Sequence, residues 1–221
     1  MIFHYFCAVI KIENVSVQYQ HETPVRNLSF VVNRGEKVCL TGPSGCGKST
    51  LLNAIPGFVP LAEGNIEVDN LPLTVGNCPQ IRQKIAWLPQ ELNLELDTVK
   101  NLLLYPFAFK ENKKNIPDRK TVLQLFEKLL LDENVYDKSL AEISGGQKQR
   151  VAIISVLLLK KSVMLLDEPS SALDDEATEV LADYILALEN TTVISASHDK
   201  RWIDRMDGKV FMGLNREEIL N

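Results

Sequence analysis

The 221-residue sequence contains no run approaching the roughly 20 apolar residues that a membrane helix needs. Its apolar start, Met1 to Ile10, spans only ten residues. It lacks the basic region and small-residue cleavage site of a signal peptide. Cysteine pairs are also missing. The four cysteines are Cys7, Cys39, Cys46 and Cys78, with no Cys-x-x-Cys spacing. A chain this long needs no disulfide staples, so reduced thiols in a cytosolic protein are expected. There is no basic excess either: 24 Lys and Arg face 29 Asp and Glu, a formal net charge of −5. That balance disfavours a dedicated nucleic-acid binder. Internal repeats, low-complexity tracts and any cluster spaced for metal ligation are absent. What remains is an ordinary globular balance, 45% hydrophobic and 24% charged, which excludes disorder, collagen and coiled coil as overall descriptions.

Two periodicities alternate along the chain. Ala8–Val15, Leu28–Val32, Glu36–Leu40, Asn65–Asp69 and Lys84–Leu88 read as strands. The apolar stretches Val163–Asp167 and Thr191–Ser195 suit buried parallel strands. A helix is expected from about Gly47 to Ile55, stopped by Pro56-Gly57, and another over Asp175–Leu188. The middle differs, with helical patterns over Thr98–Tyr105, Pro117–Leu131 and Gln147–Lys161 and a charged break at Lys110–Asn115. This pattern predicts one α/β domain with a mostly parallel sheet. Residues 1–90 and 163–221 form its body, and a helical lobe is inserted at 91–162.

The sharpest chemical signal is Gly42-Pro43-Ser44-Gly45-Cys46-Gly47-Lys48-Ser49-Thr50, a G-x-x-x-x-G-K-[ST] phosphate-binding loop between a strand and a helix. Its glycines let the backbone approach a phosphate, and the helix start adds positive partial charge. Lys48 can reach the β- and γ-phosphates, and Ser49 can ligate Mg²⁺. The apolar strand Val163–Leu166 then ends in Asp167-Glu168. Asp167 is suited to hold the Mg²⁺, and Glu168 to orient or deprotonate an attacking water.

A third element narrows the class. Ile143-Ser144-Gly145-Gly146-Gln147 begins a helix, and Ser144 stands 23 residues before Asp167. It resembles the signature of ABC ATP-binding subunits, with Ile143 for the usual Leu. Other family elements follow in order over essentially the whole chain. Tyr19 matches the aromatic that stacks on adenine, and Gln90 the Q-loop glutamine that reaches the metal. Ser171-Ala172-Leu173-Asp174 matches the D-loop, and His198 the switch histidine. The resemblance implies a P-loop NTPase fold of ABC type: a mostly parallel central sheet, an N-terminal antiparallel β part and an inserted α-helical lobe. It implies ATP and Mg²⁺ as cofactors, with Glu168, His198, Lys48 and Gln90 catalytic. Nucleotide contacts are expected from Tyr19, Gly42 to Thr50, Ser144, Gly145, Gly146, Gln147 and Asp174. Metal contacts are expected from Ser49, Gln90 and Asp167.

The family's architecture sets the signature of one subunit across from the phosphate loop of another. The resemblance therefore implies a nucleotide-dependent head-to-tail dimer with a second copy or a homologous ATPase subunit. A separate transmembrane permease is the expected partner, and the expected location is cytoplasmic, peripheral on the inner face of the membrane. No nucleic-acid partner is expected. Among transporter motors the chain looks most like the small Fet-type bacterial ATPases linked to iron export. Only 23 residues follow His198, too few for the extra regulatory domain of some sugar importers. With no metal-ligating cluster here, a metal substrate would touch only the permease. The alternative is a soluble ABC ATPase acting on ribosomes or DNA. Such proteins usually carry two cassettes, coiled coils or zinc modules, none of which is visible.

Overall fold

The computed structural model describes residues 8–19, 22–91 and 95–213. Two long strands, β1 (Ala8–Tyr19) and β2 (Glu22–Asn33), pair antiparallel. The short strand β3 (Lys37–Thr41) leads into helix α1 (Lys48–Ala54). Strands β4 (Glu63–Val68) and β5 (Leu71–Pro72) extend the antiparallel sheet, which has the order β2-β1-β4-β5. After α2 (Cys78–Lys84) comes β6 (Ile85–Leu88).

The described chain between residues 95 and 162 forms helices and helical turns: α3 (Val99–Leu104), α4 (Arg119–Lys128), α5 (Gly145–Leu158) and four 3-10 turns. Then follow β7 (Val163–Asp167), α6 (Asp175–Leu186), β8 (Thr192–Ala196), α7 (Lys200–Arg205) and β9 (Gly208–Phe211). The second sheet is all parallel, in the order β6-β7-β8-β3-β9.

Alternate residues of these parallel strands feed two different cores, because successive side chains of a strand point to opposite faces. Val38, Leu40, Val163, Leu165 and Ile194 join the core shared with the antiparallel sheet and α1. Cys39, Ala86, Leu88, Met164, Leu166 and Val193 join the core shared with the helical segment. With buried neighbours on both faces, β7 and β8 have no solvent-facing polar side, which is why they read as largely apolar stretches, interrupted in β8 by the buried Thr192 and Ser195.

Several boundaries differ from the sequence reading. The first two strands are longer than expected, running to Tyr19 and starting at Glu22. Helix α4 stops at Lys128 rather than Leu131, because Leu130 adopts a left-handed backbone with φ 55°. Helix α5 starts at Gly145, two residues before the expected Gln147. Ser144 accepts from the Gln147 N–H, and the Gln147 side chain bonds back to the Ser144 N–H. This reciprocal box satisfies donors at the helix start, and such caps contribute about 1 kcal/mol. Ile143, beside it, is buried. Helices α2 and α7 and strands β5 and β9 were not expected.

Candidate functional site

Strand register brings the site together. Leu40 of β3 pairs with Ala196 of β8, and Asp167 of β7 pairs with the same residue. Leu88 of β6 pairs with Leu166. Four neighbouring parallel strands therefore end level. The segments leaving them carry the glycine-rich loop, Gln90, Glu168 and His198. Ligands of open α/β sheets bind in this crevice outside the carboxyl ends of the strands.

The crevice is a cleft of about 630 Å³. Ser44, Gly45, Gly47, Lys48, Ser49 and Thr50 line one wall. Gln90, Glu168 and His198 line others, with Ser170, Ser171 and Leu173 from the turn after β7. Gly47 has φ 95°, and a Cβ there would come within 2.5 Å of the Pro24 carbonyl oxygen. Only glycine fits that turn and that close approach. Lys48 is 7% exposed, and its Nζ donates to the Gly42 and Pro43 carbonyls at 3.0 and 3.1 Å. The ammonium is thus held inside its own loop. Cys46 Sγ lies 3.9 Å from the same Nζ.

Behind the loop, Asp167 is 3% exposed and its Oδ1 has no hydrogen-bond partner. Burial pushes its pKa up, against the opposing pull of the Ser49 hydroxyl and the Lys48 charge. An orphaned buried carboxylate oxygen beside a serine hydroxyl is a donor set that suits a hard divalent cation. Glu168 follows in a left-handed conformation, φ 49°, which is costly for a non-glycine residue and turns its side chain out of the strand direction. Burial raises the Glu168 pKa as well, with His198 opposing and Asp167 reinforcing the rise. His198 Nε2 stands 3.5 Å from Glu168 Oε1.

A stability prediction follows from Asp167. A carboxyl whose folded pKa is raised binds protons more tightly in the native state. Its contribution is therefore favourable at low pH and is lost as pH rises through the raised folded value. Ligand-free Asp167→Asn removes that loss. We expect its melting temperature to exceed wild type at neutral and alkaline pH, with the gap shrinking as pH falls through the raised folded value towards the ordinary carboxyl range. A gap that widens on acidification contradicts this account of Asp167.

Not every expected residue meets in the cleft. Ser144, Gly145, Gly146 and Gln147 form the start of α5 and are absent from the lining. Asp174 caps α6 by accepting from the Ala177 N–H at 2.8 Å. Gly42, Pro43 and Cys46 belong to the loop but not to the lining. Tyr19 ends β1, and its side chain lies outside the described residues. The structure also adds residues. Gln149 of α5 donates to the Glu168 and Pro169 carbonyls at 3.2 and 3.3 Å, tying the signature helix to the turn after β7. A Cβ on Gly146 would approach the Ala172 carbonyl oxygen to 2.8 Å, so the helix start also rides directly on that turn. Asp199 and Arg201 line the cleft beside His198, and Arg201 pairs with Asp199 and Asp175. An Asp directly after His198 at a helix start was a readable capping signal, since Asp199 accepts from the Arg201 N–H. Gln149 belongs to the segment that resembles the family signature, but spacing along the chain gave no sign of its contact with Glu168.

A phosphate loop, a buried strand-end carboxylate and an adjacent glutamate on a parallel sheet define a P-loop ATPase. The comparisons with known proteins then identify the family. Residues 25–171 match the family described as ABC transporter, and the chain belongs to it. The chain is 30% identical over 203 residues to the "Probable iron export ATP-binding protein FetA" of Escherichia coli, covering 90% of this chain and 88% of that protein. It is 33% identical over 208 residues to the E. coli "Glutamate/aspartate import ATP-binding protein GltL", covering 91% and 86%. Its fold matches the dimeric post-hydrolysis state of the ATP-binding cassette MJ0796 bound to ADP and Pi with a TM-score of 0.76. Sequence identity there is 27%, over 92% of this chain and 94% of that one. The protein is a nucleotide-binding, ATP-hydrolysing transport ATPase. Among the described residues no helix is long and apolar enough to cross a membrane.

Proposed function

We propose that this chain is the ATP-binding and hydrolysing subunit of an ABC transporter, and that it drives substrate through a separate membrane permease. The observation that carries the chemistry is the convergence of Lys48, Glu168, Gln90 and His198 on one cleft, with the orphaned Asp167 carboxylate beside the Ser49 hydroxyl. We take 1–221 as a single ABC ATPase domain, with 1–90 and 163–221 as its catalytic body and 91–162 as a lobe that carries the signature.

In the proposed mechanism the loop from Gly42 to Thr50 cradles the phosphates, with every residue but Pro43 offering a backbone N–H. Lys48 leaves its loop carbonyls for the β- and γ-oxygens, and Tyr19 stacks on the adenine. Ser49, Asp167 and Gln90 would hold Mg²⁺, which would neutralise charge on the transferred phosphoryl group. Glu168 orients the water for in-line attack, and its raised pKa makes it a better proton acceptor than an ordinary carboxylate. His198 supports the γ-phosphate side of the reaction from its position against Glu168. The α5 start, with Ser144, Gly145, Gly146 and Gln147, is outside this cleft and can complete only the cleft of a partner. Asp174 belongs to the turn expected at the same interface. The chain then works as a two-fold dimer with a second copy or a homologous subunit, with two ATP molecules as its glue. The dimeric form of the MJ0796 cassette supports this reading. Hydrolysis breaks the bond between the β- and γ-phosphates, and once the freed phosphate leaves, the partners lose the anion that both bind and the dimer opens.

Two outcomes check parts of this site. His198→Ala is expected to keep most ATP affinity while turnover falls about a hundredfold, since His198 acts on the reacting phosphate rather than the cradle. Equal losses in binding and turnover contradict that split. Alkylation of Cys46, whose thiol lies beside Lys48, is expected to block ATP binding. Full activity with Cys46 quantitatively modified contradicts it.

The helical segment offers the permease an exposed aromatic pair. Leu102, Leu103 and Phe107 are buried, whereas Tyr105 and Phe109 stay 37% and 52% exposed and meet edge to face at 5.6 Å. Attachment through a permease would make the chain peripheral on the inner face of the membrane. For the cargo we favour iron export, on the likeness to FetA. The comparable likeness to GltL makes glutamate or aspartate import the competing result. The test is capture by tagged Glu168→Gln protein, with ATP and Mg²⁺, from detergent-solubilised membranes of the source cell. Recovery of one multi-span protein supports the transporter reading, and transport assays on that pair assign the cargo. Recovery of ribosomal or DNA-bound proteins with no membrane chain overturns it.

A further inference from the structure

A second cavity, of about 500 Å³, lies at the opposite end of the parallel sheet from the nucleotide cleft. Ser162 and Met164 at the start of β7 and Thr191 just before β8 line it, whereas Glu168 and His198 follow the other ends of those strands. Five strand residues separate the two sites by about 15 Å. The volume is ordinary for a small-molecule site.

The chemistry of its walls is one-sided. Lys128 of α4 and Lys160 and Lys161 of the turn after α5 line it, and no Asp or Glu does. This happens on a chain whose net charge is −5. Lys161 Nζ donates to Asn112 Oδ1 at 2.9 Å. Among the described residues no carboxylate pairs with Lys128 or Lys160. Lys128 Nζ instead stands 5.7 Å from the centre of the Tyr184 ring. Lys160 follows the α5 C-cap with φ 50°, the left-handed conformation that commonly ends a helix, and both it and Lys128 are exposed where they line the cavity. Leu125, Leu157, Leu158, Met164 and Leu188 supply an apolar floor beside the half-buried Tyr184 ring. Unpaired ammonium groups above apolar side chains select a ligand that is charged at one end and apolar at the other.

We propose that this cavity binds a small amphipathic anion, its apolar body against Leu125, Met164 and Tyr184 and its acidic group held by Lys128 and Lys160. The site is independent of the nucleotide cleft. Because α4 forms one wall and α6 with its following turn the other, an occupant ties the helical segment to the body.

The probe is 8-anilinonaphthalene-1-sulfonate, followed by fluorescence on the full chain with the nucleotide cleft filled by ADP. We expect one dye per chain, not displaced by ADP. The uncharged analogue N-phenyl-1-naphthylamine should bind at least tenfold more weakly. Lys128→Gln with Lys160→Gln should weaken the sulfonate at least tenfold and leave ATPase activity unchanged. In wild type the bound dye should also protect Lys128 and Lys160 from acetylation, read by peptide mapping. Equal affinity for the two dyes, displacement by ADP, or unprotected lysines overturns the proposal. So does a double variant that keeps its ATPase activity and binds the sulfonate as tightly as wild type.

Discussion

Glu168→Gln is expected to lose ATP turnover by at least about a hundredfold while retaining bound ATP, because a positioned general base contributes roughly 10²–10⁴. Three observations make this residue the sensitive point. It follows directly on β7, whose end is fixed by pairing with β8. It holds a left-handed backbone that few side chains tolerate without compensation. Its backbone is anchored from both sides, by its N–H to the Ala196 carbonyl at 2.9 Å and by Gln149 to its own carbonyl. The carboxylate is therefore aimed by a rigid scaffold, and glutamine preserves its shape without its proton affinity. Single-turnover phosphate release checks this. Wild-type turnover in Glu168→Gln would remove Glu168 from the reaction.

Lys48→Ala is expected to have the other large effect, weakening ATP binding about 10- to 100-fold and bringing turnover to background. A hydrogen bond to a charged group contributes about 1.5–3 kcal/mol, which sets the scale of the affinity loss. Lys48 is a buried cation whose hydrogen-bond partners among the described residues are two carbonyls and the Cys46 thiol of its own loop, and no carboxylate. Exchanging those carbonyls for phosphate oxygens adds full countercharge at little reorganisation. The variant also loses the bonds that hold Gly42 and Pro43, so a lowered melting temperature is expected alongside. Calorimetric titration with ATP reads the affinity directly. Unchanged affinity would show that the loop backbone alone carries phosphate recognition.

Much of this site was legible because its residues are covalently close to strong local signals. The phosphate loop, Asp167-Glu168 and the Ser144 capping box each sit on a short segment whose local structure they dictate. Strands β7 and β8 were legible for the same reason that makes them central: both faces are buried, so their positions are mostly apolar and carry no alternating polar side. The unexpected elements lack that signature. Helix α2 buries only Ile81 and α7 only Trp202, so neither presents a helical stripe. Strand β9 alternates between half-buried and exposed positions, and β5 has two residues. Their existence depends on neighbours distant in sequence, as when β9 pairs with β3. The contact of Gln149 with Glu168 and the cavity lined by Lys128 and Lys160 are likewise products of packing between elements, invisible to spacing along the chain.

The proposed account stands on a reaction site shared between two chains, since the α5 start does not line the cleft of its own chain. Sedimentation of Glu168→Gln protein with and without ATP and Mg²⁺ tests this most directly. The account predicts a monomer without nucleotide, a dimer holding two ATP molecules with it, and no dimer when Ser144→Arg is added. A chain that stays monomeric at saturating ATP, or that dimerises equally well with Ser144→Arg, contradicts it.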